Sequence, residues 1–139
     1  MFRRILVPVD LTEKALAAVD VAFDLAKPAN AEVTLLHVIE TVEHVTFDEM
    51  KDLYTRLEAS ARKGLREFSE RFEAAGIKVD RLVTYGHRTQ TIVDTAIANQ
   101  ADLIVMASHR IDPDRPGHGW STISYGVGIM APCNVLLIK

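Results

Sequence analysis

Apolar residues along this chain change their period in a regular alternation. Ile5-Leu6-Val7-Pro8-Val9 is a short, continuous, β-branched run, the pattern of a strand buried on both faces. Behind it Leu16, Val19, Phe23 and Ala26 recur at spacings of three and four. They predict a helix with Thr12 as N-cap and Lys27-Pro28 as its stop. Residues 33–39 form a second apolar run. Thr46-Phe47-Asp48-Glu49 has the form of a capping box, in which the hydroxyl and the glutamate each satisfy a helix-end amide. Met50, Leu53, Leu57, Ala61, Leu65, Phe68 and Phe72 then hold helical spacing up to Gly76, a natural C-cap, and make the longest helix. Residues 81–85 predict a third strand, and Gly86-His87 a turn. Thr89 caps a short helix carrying Ile92, Val93, Ala96 and Ile97, and Asp102 leads into a fourth buried strand at 103–107. A polar loop over 108–119 runs into a helix at 122–130, where Gly126 and Gly128 each cost up to about 1 kcal/mol relative to alanine. Residues 135–138 give the fifth strand.

Strands alternating with helices imply an α/β fold: an open parallel sheet joined by right-handed crossovers, with helices on both faces. In such a sheet ligands collect at the carboxyl ends of the strands, where the strand order reverses. The positions that matter for function are therefore Pro8-Val9-Asp10, residues 38–40, and Ala107 onward.

Composition narrows the field. The 139 residues make one domain, long enough for a core without disulfides or a structural metal. Hydrophobic residues are 48% and charged ones 25%, with a mean hydropathy of +0.08. Nineteen acids against 16 bases leave a net charge of -3, which argues against duplex nucleic acid or an anionic membrane as partner. Cys133 is the one cysteine, so no intramolecular bridge can form, and the residue reads as a small apolar side chain in the core. No apolar run approaches a membrane span, and the run behind Arg3-Arg4 is too short for a signal peptide. The expectation is a cytoplasmic domain without membrane insertion.

Asp10, at the end of a buried strand, suits three tasks: accepting hydrogen bonds from an adenine amine, binding magnesium, or accepting a phosphoryl group. A plain loop or cap residue is the structural alternative. A response-regulator receiver needs a second acid beside it, and Val9 and Leu11 stand there instead. No Gly-x-Gly-x-x-Gly turn follows the first strand, and no Walker A sequence occurs. The loop Ser108-His109-Arg110 through Gly117, Gly119, Ser121 and Thr122 is richer. It meets a helix N-terminus, whose free amides and partial positive charge favour anions. Glycines there let the backbone approach a phosphate, and Arg110, Arg115 and the hydroxyls add donors. A surface loop with a plain N-cap is again the alternative. The five histidines lack zinc-like spacing, and Ser108-His109 lacks a nucleophile elbow. Trp120 reads as a packing anchor.

Taken together, Ile5-Leu6-Val7-Pro8-Val9-Asp10, Leu36-His37-Val38, Gly86, Ala101-Asp102-Leu103-Ile104-Val105-Met106-Ala107-Ser108-His109 and Ala131-Pro132-Cys133-Asn134-Val135-Leu136-Leu137-Ile138 resemble the universal stress protein family, in its order and spacing over residues 1–139. The resemblance implies a single domain with a five-stranded parallel sheet in the order 3-2-1-4-5, of the adenine nucleotide alpha hydrolase-like kind, dimeric through the last strand. Many members bind ATP and some do not. It assigns Asp10 and Val38 to adenosine, Ala107 and Ser108 to the ribose side, and Arg110, Gly119, Ser121 and Thr122 to the phosphates, with Pro8, Val9 and His109 also counted in the site and magnesium accompanying ATP. The chain departs from the family's Gly-x-x-Gly, nine residues, Gly-Ser/Thr loop. Ala107 and Arg110 stand at the first two glycines, Ser121-Thr122 at the Gly-Ser pair, and the loop is one residue longer. The Ala-Ser-His-Arg sequence is similar to a branch of single-domain bacterial members in which nucleotide binding is known. Arg110 then replaces amides with a charged fork, or blocks the pocket. The expected function is an ATP-binding stress sensor or regulator with little or no hydrolysis. The alternative is a nucleotide-free dimeric interaction module.

Overall fold

In the computed structural model the apolar runs become β1 (Arg4–Pro8), β2 (Glu32–Glu40), β3 (Val79–Gly86), β4 (Leu103–Ala107) and β5 (Asn134–Ile138). They are joined by α1 (Lys14–Ala29), α2 (Lys51–Ala74), α3 (Arg88–Ala98) and α4 (Ile123–Met130). The structure describes residues 1–115, 117 and 122–139. All strand pairs are parallel, as expected from the alternation, and their order is β3-β2-β1-β4-β5, as the resemblance implied.

The period of two along a strand explains why the runs are apolar throughout. On one face Ile5, Val7, Val33, Leu35, Leu103 and Val105 pack with Val19, Leu65 and Phe72 of α1 and α2. The intervening Leu6, Leu36, Val38, Ile104 and Met106 pack on the other face with Ile92, Ala96 and Val127 of α3 and α4. The buried side chains of the central strands therefore meet helices on both faces, and no polar alternation survives. Cys133 packs at the rim of this second core, half-buried, and burial pushes its thiol up.

Several helix ends differ from the sequence reading, each for a local reason. α1 runs through Pro28, since a proline in the last turn forfeits only one backbone bond. Asn30 ends the helix instead, at φ 50°, with its amide bonded to the Lys27 carbonyl. Thr12 makes no cap bond to α1, because its hydroxyl is engaged by Asp10. α3 begins one residue after an extended His87, so Thr89 lies inside its first turn. The capping-box bond is present, Glu49 N–H donating to Thr46 Oγ1 at 3.2 Å, but it opens a 3-10 turn (Asp48–Met50) ahead of α2. Gly76 stops α2 as expected: its φ is 73°, and Ile77 N–H bonds back to the Phe72 carbonyl. Leu16, Leu53, Leu57 and Ile97, read as inward-facing, are exposed. No helix among the described residues is long and apolar enough to cross a membrane.

Candidate functional site

At the carboxyl edge of the sheet, β1 has β2 on one side and β4 on the other, and the chain leaves these strands toward opposite faces. A cleft of about 360 Å³ opens there. Its first wall is the end of β1. Val9 N–H still continues the ladder to the Leu36 carbonyl at 2.8 Å. The chain then breaks away, because Leu11 takes a left-handed φ of 67°. Gly64 of α2 makes room for it: a Cβ there would stand 2.8 Å from Leu11 Cδ2. Within this turn Asp10 Oδ1 accepts the Thr12 amide at 2.9 Å and the Thr12 hydroxyl at 2.7 Å. Its Oδ2 accepts nothing from the described residues.

The second wall is the end of β2. Leu36, His37 and Val38 line the cleft. His37 Nδ1 lies 2.8 Å from the Val9 carbonyl. A carbonyl can only accept, so Nδ1 carries the proton, and the bond ties β2 to the strand end that presents Asp10.

The third wall joins β4 to α4. Met106, Ala107, Ser108 and His109 line it from one side and Thr122, Ile123 and Ser124 from the other. The Ser108 amide donates to the Ile138 carbonyl at 2.8 Å, which fixes where the chain leaves the sheet. Ser108 Oγ and Ser124 Oγ are 2.8 Å apart, and Thr122 Oγ1 is 3.5 Å from Ser124 Oγ. Ser124 is only 4% exposed, so this hydroxyl pair stands on the cleft wall at the first turn of α4. Tyr125 OH donates to the His109 carbonyl at 2.6 Å, and its ring meets the His109 ring edge-on. Helix N-termini leave their first amides without intrahelical partners, and α4 opens toward the cleft at Ile123 and Ser124.

Two helices add cations. Lys14, the first residue of α1, and Arg88, the first of α3, both line the cleft. Arg88 Nε sits 3.7 Å from Glu40 Oε2, and Lys14 has no ion pair with a described residue. Among the described residues Asp10 is the one carboxylate lining the cleft. Among the described residues no group of three or more His, Cys, Asp or Glu side chains could hold a metal ion.

The structure thus brings Pro8, Val9, Asp10, Val38, Ala107, Ser108, His109 and Thr122 together. Arg110 is exposed and does not line the cleft. Gly119 and Ser121, with Trp120, lie outside the described residues. Sequence reasoning missed Lys14, His37, Arg88 and Ser124 as site residues. A signal for the two cations existed: each is the first residue of a helix that follows a strand, and those helix ends stand at the carboxyl edge of a parallel sheet.

A family model described as the universal stress protein family matches residues 1–139. The chain is 23% identical to universal stress protein YxiE of Bacillus subtilis, across 100% of both chains. Its fold is similar to that of the universal stress protein UspA from Lactobacillus plantarum, with a TM-score of 0.78 and 27% identity, covering 99% of this chain and 97% of that one. It is also similar to a universal stress protein solved in complex with cAMP, with a TM-score of 0.73 and 22% identity, covering 99% and 97%.

Proposed function

The chain belongs to the universal stress protein family, and from that premise we propose that its cleft binds an adenine nucleotide, ATP foremost, in a stress-response sensor or regulator. One observation carries the reading: the cleft combines an open acceptor at Asp10 Oδ2, apolar walls from Val9, Val38, Ile92 and Met106, and cations at Lys14 and Arg88 beside the α4 hydroxyls. An exocyclic amine needs the acceptor, a purine ring needs the apolar slot, and phosphates need the cations, the hydroxyls and a helix N-terminus. The similar protein solved with cAMP supports a nucleotide ligand for this architecture.

In this reading Asp10 and Val38 hold the base, Ala107 and Ser108 flank the ribose, and Thr122 and Ser124 meet phosphate. Lys14 and Arg88 supply charge that the family's missing loop glycines do not require. Magnesium enters with the triphosphate: the cleft's single carboxylate is held at Oδ1 by Thr12, so the protein alone offers no cage for the ion. Among the described residues no second carboxylate lines the cleft beside Asp10 to hold a metal-bound water, and on that ground hydrolysis is expected to be slow or absent.

The chain acts in the cytoplasm as a homodimer. β5 is an edge strand, and Ile129 (84% exposed), Met130 and Leu136 form an uncovered apolar margin near it. That margin favours the second reading too, a dimeric module that works without nucleotide. Denaturing freshly purified protein and chromatographing the supernatant separates the two. Adenine nucleotide in the supernatant supports the proposal. An empty supernatant, with a melting temperature that millimolar ATP leaves unchanged, overturns it.

A further inference from the structure

Away from the cleft, α2 packs along β3, the edge strand at the other side of the sheet. The two run in opposite directions, so Glu58, Arg62 and Arg66, one helical turn apart, pass beside Tyr85, Val83 and Arg81. A cavity of about 160 Å³ lies between them, lined by Arg62, Leu65, Arg66, Arg81 and Val83. Three arginines, all exposed, therefore line one small pocket with two apolar residues.

Glu58, one turn before Arg62, is already committed. Glu58 Oε2 accepts the Tyr85 hydroxyl at 2.6 Å, and Glu58 Oε1 takes both Nε and Nη2 of Arg62, the latter at 2.7 Å. Neither Arg66 nor Arg81 has an ion pair with a described residue. Arg66 and Arg81 carry like charges that repel, and an anion seated between them relieves that repulsion. Guanidinium forks match the oxygens of a tetrahedral phosphoryl group in pairs.

We propose that the pocket between α2 and β3 is a second anion site, independent of the nucleotide cleft, which takes a phosphoryl group through Arg62, Arg66 and Arg81. Its volume of about 160 Å³ suits one phosphoryl group and a short stem, against about 360 Å³ for the cleft. The chain's net charge of -3 disfavours a polyanion such as nucleic acid, whereas a small phosphate needs only these local donors. Leu65 and Val83 give an esterified stem an apolar surface to lie on.

The test titrates the full chain with inorganic phosphate, and separately with O-phosphoserine, at constant ionic strength held with sodium chloride. Amide and arginine Nε resonances are followed by NMR. Saturable shifts at Arg62, Arg66, Arg81 and Val83 are expected with either probe. Tighter binding of O-phosphoserine identifies an ester as the source, and equal binding identifies free phosphate. Arg66→Gln and Arg81→Gln each weaken the response about tenfold. Lys14→Gln, in the cleft, leaves these shifts in place, so failure of ATP binding and failure of this site are read at different resonances. Shifts that merely follow added chloride, or that persist unweakened in both arginine variants, overturn the proposal.

Discussion

The hydroxyl of Thr12 donates to Oδ1 of Asp10 at 2.7 Å, and the amide of the same residue donates to the same oxygen at 2.9 Å. One carboxylate oxygen is thereby fixed, while the other accepts nothing from the described residues and in the proposed reading takes the adenine amine. Thr12 is a positioning residue: it sets the direction in which Asp10 accepts. Thr12→Val removes the hydroxyl bond and keeps the shape, and is expected to weaken ATP binding about two- to tenfold while thermal stability changes little. Thr12→Ser restores the affinity. Calorimetric titration of the three proteins checks this.

Lys14 and Arg88 are expected to act on the phosphates and not on the base. Lys14→Gln and Arg88→Gln should each lower ATP affinity about tenfold, since a hydrogen bond to a charged group contributes about 1.5–3 kcal/mol. Adenosine binding should be unchanged. A parallel titration with ATP and adenosine reads the difference, and equal losses for both ligands would place the two cations outside the phosphate path.

Gly86 carries the chain from β3 into α3, and thus sets the position of Arg88. Its φ is 149°, and a Cβ there would meet Thr91 Oγ1 at 2.6 Å. Gly86→Ala is expected to lower stability by about 1–3 kcal/mol in urea unfolding. It should also weaken ATP binding, as the first turn of α3 shifts.

Tyr85 and Glu58 give the fold an alkaline limit. Donating to Glu58, and secondly burial, push the Tyr85 phenol from 10.0 up to about 12. The same bond, with Arg62 adding to it, holds the Glu58 carboxyl below its usual range. The folded chain keeps the phenol proton where the unfolded chain has lost it. This contribution is therefore whole below about pH 10 and is lost as the pH rises toward about 12. Unfolding free energy should fall more steeply across that window in the wild type than in Tyr85→Phe. Parallel slopes would contradict the coupling.

Much of this architecture was legible in the residues. Five apolar runs placed the strands, and Met50 to Phe72 with Gly76 placed α2, because burial on both faces and helical spacing leave direct marks. Asp10 and Val38 were legible for the same reason, as residues ending buried runs. Other features depend on contacts the chain order does not show. Thr12 looked like a cap until Asp10 claimed its hydroxyl. Lys14 and Arg88 went unread, because their signal, a cation at the first residue of a helix that follows a strand, gains meaning only when the strand order 3-2-1-4-5 brings both helix ends to one cleft. Arg66 and Arg81 lie fifteen positions apart and line one pocket only because β3 runs back along α2. Leu16, Leu53, Leu57 and Ile97 kept the apolar spacing yet point outward, because a helix on a sheet covers a narrower strip than its pattern can supply.

The central claim is that the cleft at the end of β1 holds an adenine nucleotide through Asp10. The most direct measurement is calorimetric titration of magnesium-ATP onto nucleotide-stripped wild type and Asp10→Ala, with circular dichroism to verify that both are folded. The account predicts saturable binding to the wild type and a loss of about tenfold or more in Asp10→Ala. No binding to the wild type, or equal affinity in the two folded proteins, would contradict it.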